Sequence, residues 1–400
     1  MNDADHKQPH VAQSRRSWRF HPYEIAVCGY KNSGKTTLLE GLAKCLGSHQ
    51  GSHVNALRLA YLKHDAHHFT MDHPGKDTDR LRNAGVETAL IMGSNGFAQL
   101  GNQCDAAPMA PYSLLAADAL LVEGYKASGL PRIMVLDKDL AILDDPAWLE
   151  APPVAVVHPF PPNEADEIKA RALVQYRLSE LPWFDRNDIA AIAEFVRKLW
   201  DDRRPPLRGL VLTGGLSTRM GRDKALVDYH GCTQLEYSVR LLSRYCSEVV
   251  VSCRPDQRGE SVRGGYPTLV DRFLDMGPTG GILSALASDE TGGQAWLVLA
   301  CDLPRVDGEV LGRLLAARNP FRFATAFRGT DGFPEPLCAI WEPKSYPRLL
   351  QFVGMGHTCP RKCLINSPVT LIDPPSPVVL ENGNDPQDFR RIQDDLHLGS

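Results

Sequence analysis

A chain of 400 residues is more than one ordinary hydrophobic core organises, so at least two domains are expected. With 43% hydrophobic and 23% charged residues and a net charge of −4, the composition is that of a globular protein with no basic footprint for nucleic acid. No apolar run approaches the roughly 20 residues that cross a bilayer, and the N-terminus lacks the apolar stretch of a secretory signal. A cytoplasmic protein without membrane partners is expected, with residues 1–20 a disordered arm. The ten cysteines form no paired framework, and Cys359 and Cys363 in CPRKC have the wrong spacing for a zinc knuckle, so free thiols in a reducing compartment are expected.

The first strong signal is Tyr23–Cys28, a short apolar run readable as a buried parallel strand. It leads into GYKNSGKT, a phosphate-binding P-loop, with a helix expected over Thr37–Leu46. The spacing has a chemical reason. The backbone N–H groups of Gly29, Asn32, Ser33, Gly34 and Thr37 can cradle phosphate oxygens, Lys35 reaches the β/γ oxygens, and the Thr36 hydroxyl ligates Mg²⁺. A second strand, Val54–Lys63, is followed by KHDAHHFTMDHPGKDTDR. This segment holds His64, His67, His68 and His73 with Asp65, Asp72 and Asp77, and reads as a polar loop beside the nucleotide rather than a transition-metal site.

Ala116–Val122 is apolar and ends in Glu123-Gly-Tyr-Lys. A carboxylate at the carboxyl end of a parallel strand faces the ligand, so Glu123 is the candidate Mg²⁺ partner in preference to Asp118. Further strands are expected at Arg132–Leu136 and Val154–Val157, and Asp188–Trp200 has the apolar spacing of an amphipathic closing helix. GYKNSGKTTL, KHDAHHFTMDHPGKDTDRLRNAG, LLVEGYK and NDIAAIAEFV, in that order, resemble the GTP-binding adapter protein of molybdopterin-guanine dinucleotide synthesis. The resemblance implies GTP as ligand and weak GTPase activity; the P-loop alone does not choose between GTP and ATP.

Asp201–Pro206, charge followed by two prolines, reads as a short stiff linker. The expected organisation is thus a P-loop domain over 21–200, a linker over 201–206 and a second domain over 207–400.

The second domain opens with LRGLVLTGGLSTRMGRDK, an apolar strand running into Gly214, Gly215, Arg219, Gly221 and Lys224. Glycines after a strand let the backbone approach a phosphate chain, and the two cations can meet its charge. The pattern resembles the signature loop of molybdenum cofactor nucleotidyltransferases, with Thr213 where that family usually carries Ala. Its GG form resembles the guanylyltransferase branch, whereas an AG form resembles the cytidylyltransferase branch. A helix over Gln234–Tyr245 and a strand over Glu248–Ser252 follow; Ser252 stands where the family often has Asn. Thr268–Val270 ends in Asp271, and MGPTGGI reads as a glycine-rich turn opening a helix over Ile282–Ala287. Trp296–Ala300 closes in Cys301-Asp302-Leu-Pro, resembling the family's metal-binding C-D-x-P motif. Near the end, Arg361 and Lys362 of CPRKC are candidate ligands of a pterin phosphate or part of a solvated basic turn, and Asn382-Gly-Asn384-Asp-Pro386-Gln-Asp388 is a partial match to the family's last motif or only a turn.

These readings imply an α/β protein: a P-loop NTPase-type three-layer domain, then a Rossmann-like, doubly wound nucleotidyltransferase domain. Together the resemblances imply a fusion of the GTP-binding adapter with a molybdenum cofactor guanylyltransferase. Such a fusion would join GMP from GTP to molybdopterin and release pyrophosphate. Lys224, Arg219 and Asp302 would be catalytic, Leu212, Gly214, Gly215, Lys224, Asp271 and Asp302 would bind GTP, and Asp302, Thr36 and Glu123 would ligate Mg²⁺. Apo-molybdoenzymes and other cofactor-synthesis proteins are implied partners. The alternatives are a cytidylyl or sugar-phosphate nucleotidyltransferase and a non-catalytic, GTP-dependent cofactor carrier or chaperone.

Overall fold

The structure is a computed structural model. It describes residues 20–47, 56–63, 75, 88–93, 96–101, 114–125, 129–145, 152–176, 181–213, 223–260, 262–289, 291–383 and 386–398. The chain divides into two compact units, the first running to Arg204 and the second beginning at Pro205.

In the first unit, six parallel strands form one sheet. In chain order the strands of this unit are β1 (Glu24–Cys28), β2 (Leu59–Lys63), the pair β3 (Thr88–Gly93) and β4 (Gly96–Gly101), β5 (Ala119–Glu123), β6 (Arg132–Val135), β7 (Ala155–His158) and β8 (Trp183–Asp185). The sheet order is β2-β5-β1-β6-β7-β8, with β3 and β4 forming a separate antiparallel hairpin. Strands β1, β5, β6 and β7 are buried along their whole length, as expected of a parallel sheet covered on both faces. Helix α1 (Lys35–Gly47) turns Leu38, Leu39, Leu42 and Leu46 inward. Helix α2 spans Pro162–Tyr176, and α3 (Ile189–Asp201) buries Ile192, Ala193, Val196 and Trp200. The Asp188 carboxylate caps α3 by accepting from the Ala191 N–H at 3.1 Å. Trp200 is fully buried, and its indole N–H donates to the Glu24 carbonyl at 3.4 Å, tying the last helix to the first strand.

In the second unit, a seven-stranded sheet has the order β11-β10-β9-β12-β14-β13-β15. Its strands are β9 (Leu207–Leu212), β10 (Val249–Cys253), β11 (Thr268–Val270), β12 (Ala295–Ala300), β13 (Ala324–Arg328), β14 (Pro334–Trp341) and β15 (Val369–Ile372). The first four are parallel, whereas β14 runs antiparallel to both its neighbours. Among the described residues the α-helices of the unit are α4 (Gln234–Leu242), α5 (Pro278–Ser288), α6 (Gly308–Ala316), α7 (Ser345–Gly354), α8 (Pro360–Ile365) and α9 (Pro386–Leu398). The sheet is covered on both faces. Leu297 and Leu299 of β12 pack with residues of α4 and α6, while the alternate residues Trp296 and Val298 pack with residues of α5, α7 and α8. The doubly wound reading rests on this alternation.

Two local expectations are corrected. PTGG is not a turn ahead of a helix but the first turn of α5, which begins at Pro278 directly after Gly277. Proline suits the first helical position, and close packing accounts for the two glycines that follow it. A Cβ on Gly280 would lie 2.2 Å from the Phe273 carbonyl oxygen, and one on Gly281 would lie 2.6 Å from Ser252 Oγ. CPRKC, read as a basic turn, is helix α8, with Cys363 and Leu364 buried against the sheet. Each described cysteine is a free thiol.

Candidate functional site

The P-loop of the first unit leaves β1 at Cys28. Gly29 is required by close approach, since a Cβ there would lie 2.5 Å from Ser33 Oγ and 2.9 Å from the Val135 carbonyl oxygen. Asn32 and Gly34 take left-handed backbone conformations, with φ of 66° and 94°. These bends turn the chain into the N-terminus of α1, where unpaired amides favour an anion. Lys35 Nζ donates to the Tyr30 carbonyl at 2.7 Å, holding its ammonium across the loop. Thr36 and Thr37 are exposed on the first turn of α1.

Glu123 lies at the carboxyl end of β5, beside β1 in the sheet. The Thr36 hydroxyl donates to its carboxylate at 3.3 Å, and the Tyr61 hydroxyl donates at 2.7 Å. Lys63 Nζ lies 4.0 Å away. The Tyr61 phenol is pushed above its ordinary value by burial and by this carboxylate. A hydroxyl and a carboxylate side by side at a P-loop are hard oxygen donors of the kind that suits Mg²⁺. Asp118 is engaged elsewhere: it accepts from the Arg58 backbone N–H at 2.8 Å and pairs with its guanidinium at 3.3 Å.

In the second unit, the carboxyl ends of β11, β10, β9 and β12 lie in a row. Parallel strands present these ends on one edge, where ligands of open α/β sheets bind. Leu212 ends β9, and its carbonyl accepts from the Cys301 N–H at 3.2 Å, joining the start of the signature loop to the tip of β12. Asp271 follows β11, and the Ser252 hydroxyl on β10 donates to it at 2.6 Å. Burial raises the Asp271 carboxyl above its ordinary value, with the Ser252 hydrogen bond and Arg254 acting against the rise. Gly281 of α5 faces the same spot: a Cβ there would lie 2.7 Å from Leu212 and 3.5 Å from Asp271.

Asp302 follows β12. Its Oδ2 pairs with Lys224 Nζ at 3.2 Å, whereas its Oδ1 is buried with no hydrogen-bond partner among the described residues. A buried carboxylate oxygen left over beside a lysine has the donor chemistry of a Mg²⁺ ligand, so this residue fits the ion that the signature implies. Among the described residues no group of three or more His, Cys, Asp or Glu comes together in a metal-ligating cluster. Any cation here would rely on Asp302 together with oxygens of a bound phosphate or water.

Beside this edge opens a cavity of about 680 Å³, lined in part by Arg328, Asp331, Glu335, Arg361 and Asn382. The next residue, Gly383, donates its N–H to the Asp302 carbonyl at 2.9 Å, so the cavity wall and the β12 tip are joined. Arg361 pairs with Asp331 at 2.8 Å and Glu335 at 2.7 Å. Burial raises the Glu335 carboxyl, with Arg361 opposing and Asp302 adding to the rise.

Comparison with known proteins bears on both units. Residues 209–367 match the sequence model of the family described as MobA-like NTP transferase domain, and residues 24–151 match that of molybdopterin guanine dinucleotide synthesis protein B. A molybdenum cofactor biosynthesis bifunctional protein of Synechocystis is 39% identical over 193 residues, covering 48% of this chain and 55% of that relative. This chain thus spans about half the length of that bifunctional relative. A molybdenum cofactor guanylyltransferase of Pseudomonas putida is 31% identical over 202 residues, 48% of this chain and 99% of the relative.

The chain belongs to the molybdenum cofactor guanylyltransferase family.

Among solved structures, molybdopterin-guanine dinucleotide biosynthesis protein A from Archaeoglobus fulgidus aligns at 22% identity with a TM-score of 0.40, over 48% of this chain and 99% of that one. Of the residues singled out from the family signature, the structure brings Leu212, Lys224, Asp271 and Asp302 to one edge of one sheet. Gly214, Gly215, Arg219 and Gly221 lie outside the described residues, as do the histidines and aspartates between His64 and Asp77 and, in the last motif, Asn384. Asn382 lines the cavity, and Asp388 pairs with Arg391 at 3.4 Å. Lys362 is exposed on α8.

Sequence reasoning missed Arg263. Its side chain is only 1% exposed and donates to the Thr213 hydroxyl at 3.0 Å and to the Asp223 carboxylate at 2.6 Å. The segment that carries it, RGESVRGG, is polar and matches no motif, so no local signal marked it. Thr213, the departure from the family's usual Ala, acquires a role here. Its hydroxyl accepts from Arg263 and donates to the Ser252 carbonyl at 2.7 Å.

Proposed function

We propose that this chain is a bifunctional molybdenum cofactor biosynthesis protein. Its second unit transfers GMP from GTP to molybdopterin, and its first unit is a GTP-binding adapter with weak GTPase activity. The observation that carries the reading is the Lys224–Asp302 pair, which joins the end of the signature loop to the tip of β12, with a buried Asp302 oxygen left over for a cation. Nucleotidyl transfer brings together an attacking phosphate, an α-phosphorus and a pyrophosphate leaving group, all anionic, so cationic stabilisation governs the barrier. An oxygen of the molybdopterin phosphate attacks the α-phosphorus of GTP, a new P–O–P link forms, and the bond from the α-phosphorus to the bridging oxygen breaks with release of pyrophosphate.

Leu212, Gly214, Gly215 and Asp271 would hold the nucleotide, and Lys224 and Arg219 would neutralise its phosphates. Asp302 would hold Mg²⁺, which supplies Lewis-acid stabilisation of charge at the reacting phosphates when bound. The cavity next to Asp302 is the natural approach for the acceptor, with Arg328 and Arg361 on its wall. In the first unit, Gly29, Asn32, Ser33, Gly34, Lys35, Thr36 and Thr37 would cradle GTP, with Thr36 and Glu123 toward a second Mg²⁺.

The deciding experiment is pyrophosphate release with molybdopterin and each of the four ribonucleoside triphosphates. Release with GTP alone supports the reading. Release with CTP would replace it by a cytidylyltransferase, and nucleotide binding without release would replace it by a carrier.

A further inference from the structure

We infer that Arg263 is a positioning residue of the transferase, holding the two ends of the signature loop so that Lys224 is presented to Asp302. The inference rests on the transferase reading above. Thr213 and Asp223 bracket the glycine-rich residues 214–222, and one buried guanidinium reaches both. Its Nε donates to the Thr213 hydroxyl at 3.0 Å, and its Nη2 donates to the Thr213 carbonyl at 3.5 Å and to Asp223 Oδ2 at 2.6 Å. Nη1 is bound by Glu260. The other oxygen of Asp223 accepts from the Ala225 N–H at 3.0 Å and so caps the short 3-10 turn Lys224–Leu226. The next link is Lys224 Nζ to Asp302 at 3.2 Å. Arg263, Asp223, the capped turn, Lys224 and Asp302 thus form one contiguous chain of polar contacts. A planar fork serves Thr213 and Asp223 at once in a fixed geometry, which the point charge of a lysine ammonium on a flexible stem does not reproduce. The guanidinium is too enclosed to meet substrate, so it acts through the residues it holds.

The test measures dinucleotide formation, not GTP loss, in the full chain and in Arg263→Met, Arg263→Lys, Asp223→Asn and the Arg263→Met/Asp223→Asn double variant. Thermal melting accompanies each. Displacement of Lys224 by a fraction of its contact distance is expected to lower kcat/KM for GTP on the order of 10–100-fold in Arg263→Met. Arg263→Lys falls between it and the wild type. KM for molybdopterin stays unchanged, a selectivity that general loosening of the fold would not produce. The double variant loses about as much as Arg263→Met alone, because both changes break one link. Arg263→Met that melts as a folded protein with wild-type kcat/KM for GTP, or losses that multiply in the double variant, overturns the inference. If Arg263→Met does not fold, wild-type kcat/KM in both Arg263→Lys and Asp223→Asn overturns it equally. A wild-type chain that forms no dinucleotide with any of the four triphosphates overturns the transferase reading itself, and this inference with it.

Discussion

Lys224 Nζ and Asp302 Oδ2 lie 3.2 Å apart although 78 residues separate them in the chain. The pair joins the end of the signature loop to the tip of β12. Asp302→Asn preserves the size of the side chain and removes its charge. The variant is expected to fold and to lose guanylyl transfer by on the order of 10²-fold or more, as when a charge-stabilising group is removed. Raised Mg²⁺ should recover part of the rate, because affinity for the ion is what is weakened. Unchanged turnover with unchanged Mg²⁺ dependence would return Asp302 to the role of a turn residue and leave Asp271 as the next candidate.

Lys35→Ala is expected to abolish GTP hydrolysis while sparing dinucleotide formation at saturating GTP and molybdopterin. The two phosphate loops belong to separate sheets in separate compact units. Separate assays of phosphate release and dinucleotide formation check this. Loss of transfer in a folded variant would mean that the two sites are obligatorily coupled.

A fragment beginning at Pro205 is expected to fold alone and retain transferase activity. Its seven-stranded sheet and both flanking cores are built from residues after that point. Circular dichroism, a cooperative melt and pyrophosphate release would establish it; an insoluble fragment would show that the core is shared.

Gly281→Ala is expected to destabilise the second unit by about 1–3 kcal/mol, the usual cost of forcing extra volume into a packed site. The added Cβ would lie 2.6 Å from Ser252 Oγ and 2.7 Å from Leu212 Cδ2. Relief of that contact displaces the hydroxyl that donates to Asp271, so KM for GTP should rise as the melting temperature falls. An unchanged melt would show that the neighbours yield freely.

The raised Asp271 carboxyl sets a pH dependence of stability. Unfolded, it titrates near the ordinary value of 3.8; folded, burial holds its proton to higher pH. Its favourable contribution is complete below the unfolded value and is lost as pH rises through the raised folded value. Asp271→Asn removes that loss and keeps an acceptor for the Ser252 hydroxyl. The variant's melting temperature should therefore gain on the wild type as pH rises from the acid range toward neutrality. A constant difference across pH would show that Asp271 titrates normally. Glu335, raised chiefly by burial, contributes with the same sign in both proteins.

What the sequence by itself determined is the chemistry that is written locally. GYKNSGKT encodes its own bend, because a strand, glycines that admit close approach and a helix start lie within a few residues of one another. The apolar runs that stop at Glu123, Asp271 and Asp302 likewise marked the edge of each sheet, since a parallel strand buried on both faces ends where polarity begins. What only the tertiary structure decided are contacts between residues far apart in the chain. Arg263 meets Thr213 across 50 residues and Asp223 across 40. No periodicity foretells such a pairing, because it depends on how β9 and β10 come side by side. Gly280 and Gly281 are the same case in reverse. Read locally they signal a turn, yet they lie in a helix, and they are glycines there because Phe273 and Ser252 leave no room for a Cβ.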